Sequence, residues 1–147
     1  MDIMEKKTNF LDEETVEAKA ETPTEKTRKP YVEWCVREKV YKLKLTTGVI
    51  RRLEQGWNKS LLSAVLDEGI PSIDVLSTLL QAALQKFHHG IKSMAVDEML
   101  DEYFEAGGTQ FDLLREVVYP LMHDAGFFTQ AQMDLLTKEL SEADSNL

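Results

Sequence analysis

The chain has 147 residues, the size of one ordinary domain, and its 17 basic and 26 acidic residues give a net charge of −9. With 43% hydrophobic and 29% charged residues, and no apolar run near the ~20 residues of a membrane-spanning helix, a membrane protein of that kind is excluded. A single cysteine, Cys35, allows neither an internal disulfide nor a zinc site shared with a second thiol. The first thirty residues lack the apolar stretch of a secretory signal and carry the acidic residues that a mitochondrial presequence avoids, so residence in a cytoplasm is expected.

The charge is unevenly spread. Residues 1–39 carry −2, residues 40–92 carry +3 and residues 93–147 carry −10. A segment of −10 repels a duplex unless it points away, which argues against sequence-independent binding of nucleic acid.

In residues 1–29 only Ile3, Phe10, Leu11 and Val16 are large aliphatic or aromatic groups, so this stretch reads as a disordered, charged leader. Residues 30–142 read as one helical domain. It opens on a hairpin over 31–45, in which Val32, Trp34 and Val36 alternate with Tyr31, Glu33 and Cys35. Tyr41, Leu43 and Leu45 then alternate with Lys42 and Lys44, the period of a half-buried strand, and Arg37–Glu38 form the turn.

From there the period is helical, and about six helices are predicted. Thr46 or Thr47 caps the first, which ends near Gly56 and Trp57 with Val49, Ile50 and Leu53 facing one way. Asn58 caps the second, with Leu61, Leu62, Val65 and Leu66 inside and Gly69 as its stop. Ser72 caps a third that runs to about Phe87 and is apolar on most of its circumference, from Ile73 to Leu84 and Phe87, which puts it at the centre of the domain. Ser93 caps the fourth, with Val96, Met99, Leu100, Tyr103 and Phe104 inward and Gly107–Gly108 as its stop. The fifth begins at Thr109 or Gln110 and contains Pro120, which removes a backbone hydrogen bond and bends the helix near Glu116. Gly126 ends it, Thr129 caps the sixth with its narrower stripe of Met133, Leu136 and Leu140, and residues 143–147 fray. The expected class is mainly α, a small helical domain behind an N-terminal β-hairpin.

No group of residues suggests catalysis, a metal or a cofactor. His88 and His89 are adjacent and point about 100° apart on a helix, so they cannot grip one ion as residues four apart do. They and His123 suit helix C-terminal turns, where an imidazolium complements the dipole. Asp97, Glu98, Asp101 and Glu102 form the solvated face of a helix and lack a facing Glu-x-x-His. Cys35 reads as a small packed residue beside Trp34. Adjacent Phe127 and Phe128, with Leu136, are the candidate partner-binding residues; the other reading is that both phenylalanines close the core beneath the last helix.

Three stretches carry a resemblance. KVYKLKLTTGVIRRLEQGW, Lys39 to Trp57, resembles the opening of the tail assembly chaperones of tailed phages and prophages of Gram-positive bacteria. LLSAVLDEGIPSIDVLSTLLQAALQKFHHGI, Leu61 to Ile91, is similar to that family's second and third helices with their Gly-Ile-Pro link. DEMLDEYFEAGGTQFDLLREVVYPLMHDAGFFT, Asp97 to Thr129, is similar to its closing part, with the Gly-Gly joint, the proline and the Gly-Phe-Phe turn. The similarity spans about Tyr31 to Leu140, although the leader precedes the family's usual start. It implies a non-enzymatic chaperone in the cytoplasm of the bacterial host, absent from the mature virion. Such a protein binds the tape measure protein, self-associates along it and helps recruit tail tube protein, with no cofactor, nucleic acid or membrane involved. The alternative from the residues alone is a small DNA-binding regulatory protein that uses Arg51, Arg52 and Lys59.

Overall fold

The computed structural model describes residues 30–146, and the expectation for residues 1–29 lies outside them. Strands β1 (Val32–Val36) and β2 (Lys39–Leu43) form an antiparallel hairpin in which Trp34 pairs with Tyr41 and Val36 with Lys39. Arg37 and Glu38 make the turn, with Arg37 at φ 55°, a left-handed conformation taken here by a residue other than glycine. The alternation holds: Val32, Trp34 and Val36 are buried while Glu33 and Cys35 are exposed.

Six helices follow among the described residues when the contiguous run 110–124 is taken as one: α1 (Thr47–Trp57), α2 (Leu61–Leu66), α3 (Ile73–Leu84), α4 (Ser93–Glu105), α5 (110–124) and α6 (Gln130–Ser145). The Oγ1 of Thr46 caps α1 by accepting from the Val49 N–H, and Ser72 caps α3 in the same way through Val75. Thr109 and Thr129 open α5 and α6 with reciprocal capping boxes to Asp112 and Gln132.

Two expected caps move. Asn58 stands at the end of α1 with φ 55°, and Ser60 caps α2 instead. Asparagine tolerates the left-handed conformation, and a helix ending there needs a second residue to begin the next. At the start of α4 the cap position is Lys92, which makes no side-chain capping bond. The last helix also outruns expectation: residues 143–145 continue α6 to Ser145, whose Oγ donates to the Ser141 carbonyl, in place of a frayed end at 143.

Pro120 acts where expected, but by insertion of a residue into the ladder. Within α5 the segment Leu114–Val118 is a π-helix, and the Tyr119 N–H donates to the Leu114 carbonyl, five residues back. The wider turn absorbs the hydrogen bond that proline cannot make. The segment Tyr119–Asp124 then resumes as α-helix and packs with α6.

α3 is the centre of the core, packing on α4, α1 and β2, and Leu76, Leu79, Leu80, Ala83 and Leu84 are wholly buried. Its two outlying apolar residues are not: α3 ends at Leu84, leaving Phe87 in the following turns, and both Ile73 and Phe87 are exposed. Leu62 on α2 is exposed as well, since only Leu61 and Val65 of that short helix are buried.

The Gly-Gly joint separates two physical demands. Gly107 takes φ 105° and, with Gly108, closes a Schellman motif through the bonds Gly107 N–H to Phe104 O and Gly108 N–H to Tyr103 O, each 3.0 Å. Gly108 is needed for space, because a Cβ there would lie 2.4 Å from the Tyr103 ring. Gly108→Ala should therefore cost roughly 1–3 kcal/mol by overpacking. Gly56→Ala, with nothing within 4 Å, should be neutral or better in the same urea titration. Leu80→Asp should abolish the cooperative thermal transition, because a carboxylate at this wholly buried position has no water and no partner.

Candidate functional site

α1, α3 and the turn after α3 together line a hollow on the surface. The result is a groove of about 650 Å³. Its floor is apolar, made of Val49, Leu53 and Trp57 from α1 with Ala82 of α3 and Ile91 of the turn. Arg52 and Lys92 are exposed at its rim, opposed by the single carboxylate of Asp74. Helical spacing produces the α1 side: Val49, Leu53 and Trp57 are four residues apart, and Arg52 adjoins that stripe.

Glutamines hold the far wall. The Gln85 Nε2 donates to the Ile91 carbonyl at 2.9 Å, while its Oε1 accepts from the Gly90 N–H at 3.1 Å; Gln81 reaches the same carbonyl at 3.4 Å. These bonds pin the Gly90–Ile91 turn, with Gly90 at φ 81°, against α3, so the groove is built before anything enters it.

The candidate residues read from sequence are elsewhere and are largely inside. Phe128 is 7% exposed and its ring meets that of Tyr119 edge-on, with centroids 6.4 Å apart. Phe127 is half-buried and follows Gly126, where its N–H closes a second Schellman motif on the Met122 carbonyl at 2.9 Å. Leu136 is half-buried against the core, and it is Leu135, beside it on α6, that faces outward at 57% exposure. The core-closing reading of the two phenylalanines thus describes their surroundings.

His88 takes a different part from the one expected of a charged helix end. Its Nε2 accepts the Lys42 N–H of β2 at 3.0 Å, a bond that needs the lone pair of a neutral imidazole. His89 is exposed, and His123 lies in the last turn of α5, 3.4 Å from the Asp124 carboxylate. Cys35, expected to pack, is exposed, because strand alternation turns it to the face opposite Trp34.

Among the described residues no three His, Cys, Asp or Glu side chains gather as metal ligands would. Asp97 has a structural use: its Oδ1 accepts from the Ser77 hydroxyl at 2.7 Å, satisfying the one buried polar side chain of α3. The cations suggested for DNA are divided. Arg51 and Lys59 share a shallow depression with Glu54, whereas Arg52 lines the groove. Two buried polar atoms, Trp34 Nε1 and Asp124 Oδ2, have no hydrogen-bond partner among the described residues.

Fold and groove together define a small helical domain behind a β-hairpin, with a preformed, half-apolar cleft. A family model matches residues 32–146, nearly the whole described unit, and the chain belongs to that family, described as a family of unknown function (DUF6096). No curated protein and no solved structure matches the chain. Among the described residues no helix is long and apolar enough to cross a membrane.

The perturbed acids are core phenols. Burial pushes Tyr103 up to about 12, with Glu116 and Asp112 raising it further and Arg115 opposing them; burial, then Glu139, also raises Tyr119. A phenol raised in the fold contributes stability that is complete below its ordinary value near 10 and is lost as pH climbs through about 12. Urea midpoints across that window should fall more steeply for the native protein than for Tyr103→Phe.

Proposed function

We propose that this protein is a non-enzymatic tail assembly chaperone of a phage or prophage of Gram-positive bacteria. It acts in the host cytoplasm, binds the tape measure protein and yields it to tail tube subunits, and it is left out of the finished virion. The observation that carries this reading is the resemblance over Tyr31 to Leu140, whose distinctive words fall at the joints of the fold. Thr46 caps α1, Gly107–Gly108 close α4, Pro120 follows just after the π-segment of α5, and Gly126–Phe127–Phe128 turn the chain into α6.

The physical task fits such a protein. A tape measure is a long apolar helix, and exposed apolar surface of that extent aggregates unless it is covered. A small domain with an apolar cleft and a net charge of −9 covers such a surface and keeps the complex dispersed. Weak contacts repeated along the length permit later release.

The test is co-expression with the tape measure protein encoded beside it, in a gene order expected to run tail tube, this chain, tape measure. The soluble fraction of the tape measure protein should rise severalfold with the chain present. It should rise equally with Cys35→Ser and His89→Ala, two exposed residues outside any contact argued above. A tape measure protein equally insoluble with and without the chain, together with a tail tube protein that does not bind it, removes the proposal.

A further inference from the structure

Every residue that lines the groove between α1 and α3 lies between Val49 and Lys92, inside the segment that carries +3, while the C-terminal third of the chain carries −10. The cleft, part apolar and part polar, therefore lies on the basic part of an acidic protein. We propose that it is the docking site for an amphipathic helix whose apolar stripe is flanked by carboxylates. The helical, apolar character of that partner rests on the chaperone reading; its acidic flank is inferred from the groove alone.

The shape of the groove supports a helix as its occupant. The groove is bounded by helices and has an apolar floor ending in the half-buried Trp57, the arrangement into which a helix lays residues spaced three and four apart. Beside it the hairpin is tied to the end of α3, by the Lys42 N–H of β2 to His88 and by the N–H of Lys44, just past β2, to the Ala83 carbonyl at 2.9 Å.

Charge then selects among helices. Arg52 and Lys92 outnumber Asp74, so the rim favours carboxylates beside the incoming stripe. A helix with lysine flanks would meet those cations and would be drawn instead to the acidic C-terminal third. Because the rim charges are exposed, they set preference more than total affinity, and salt screens them.

The experiment uses the full chain and two fluorescein-labelled peptides of about 18 residues, long enough for five helical turns. Both carry the same leucine stripe, flanked by glutamate in one and by lysine in the other. Anisotropy at low salt should show the glutamate peptide binding about tenfold tighter, a preference that high salt erases. Arg52→Glu with Lys92→Glu, at two exposed positions that leave the thermal transition unchanged, should reverse the preference. Equal binding of the two peptides overturns the proposal, as does a preference that survives the double reversal. It is also overturned if the preference responds instead to Asp134→Lys with Glu142→Lys on α6. A double reversal that splits an oligomer of the protein alone makes a second copy the occupant, and overturns it too. Failure here with the tape measure protein still solubilised by the native chain sinks the groove and spares the chaperone reading; the converse result spares the groove.

Discussion

A two-stranded hairpin is marginal in water by itself, and this one persists because α3 completes it. The Lys44 N–H reaches the Ala83 carbonyl near the end of α3, and the Lys42 N–H reaches His88 just beyond it, so the end of β2 is tied to a helix terminus instead of a third strand. In the other direction Trp34, 1% exposed, sends the hairpin's inner face against Tyr103 of α4, with ring centroids 5.8 Å apart. Tyr31 adds an edge-on contact to Phe87. The sheet and the helical body are thus one structure joined at the C-terminal end of α3. That same end, through Gln85 and the turn at Gly90, shapes the groove.

Helix ends do much of the remaining organisation. Two Schellman motifs, at Gly107 and Gly126, reverse the chain after α4 and α5, and each is followed at once by a capping box that opens the next helix. Such paired stop and start signals leave little freedom in the angle between successive helices, which short loops alone would not restrict. The π-segment serves the same end by a different route. An extra residue in the ladder rotates the second half of α5, and Leu114, Val117 and Val118 on one side of the insertion and Leu121 and Met122 on the other are all buried.

The charge distribution turns this scaffold into a surface with polarity. Acidic residues crowd α4, α5 and α6, while Arg52 and Lys92 flank the cleft on the opposite part of the sequence. An apolar cleft in a protein of uniform charge sign attracts partners by shape alone. Here the sign changes between residues 40–92, which supply the cleft, and residues 93–147, so an oriented charge contrast accompanies the shape.

Much of the fold was legible because its signals are local. Period-two alternation marked the buried and exposed sides of β1, helical spacing marked the helices, and Thr46, Ser72, Thr109 and Thr129 announced their starts, since a cap depends on three or four neighbouring residues. Tertiary structure decided what periodicity cannot express. Whether Phe128 or Leu135 faces water, whether Ile73 is covered, and which backbone N–H His88 accepts from all depend on what arrives from far along the chain. The groove is the clearest case: its walls come from residues 49–57 and 74–92, two amphipathic stretches that each look sufficient in sequence. Only their placement in space leaves Trp57, Ala82 and Ile91 half-covered, because a helix in a packed domain seldom buries its full apolar face on a single neighbour.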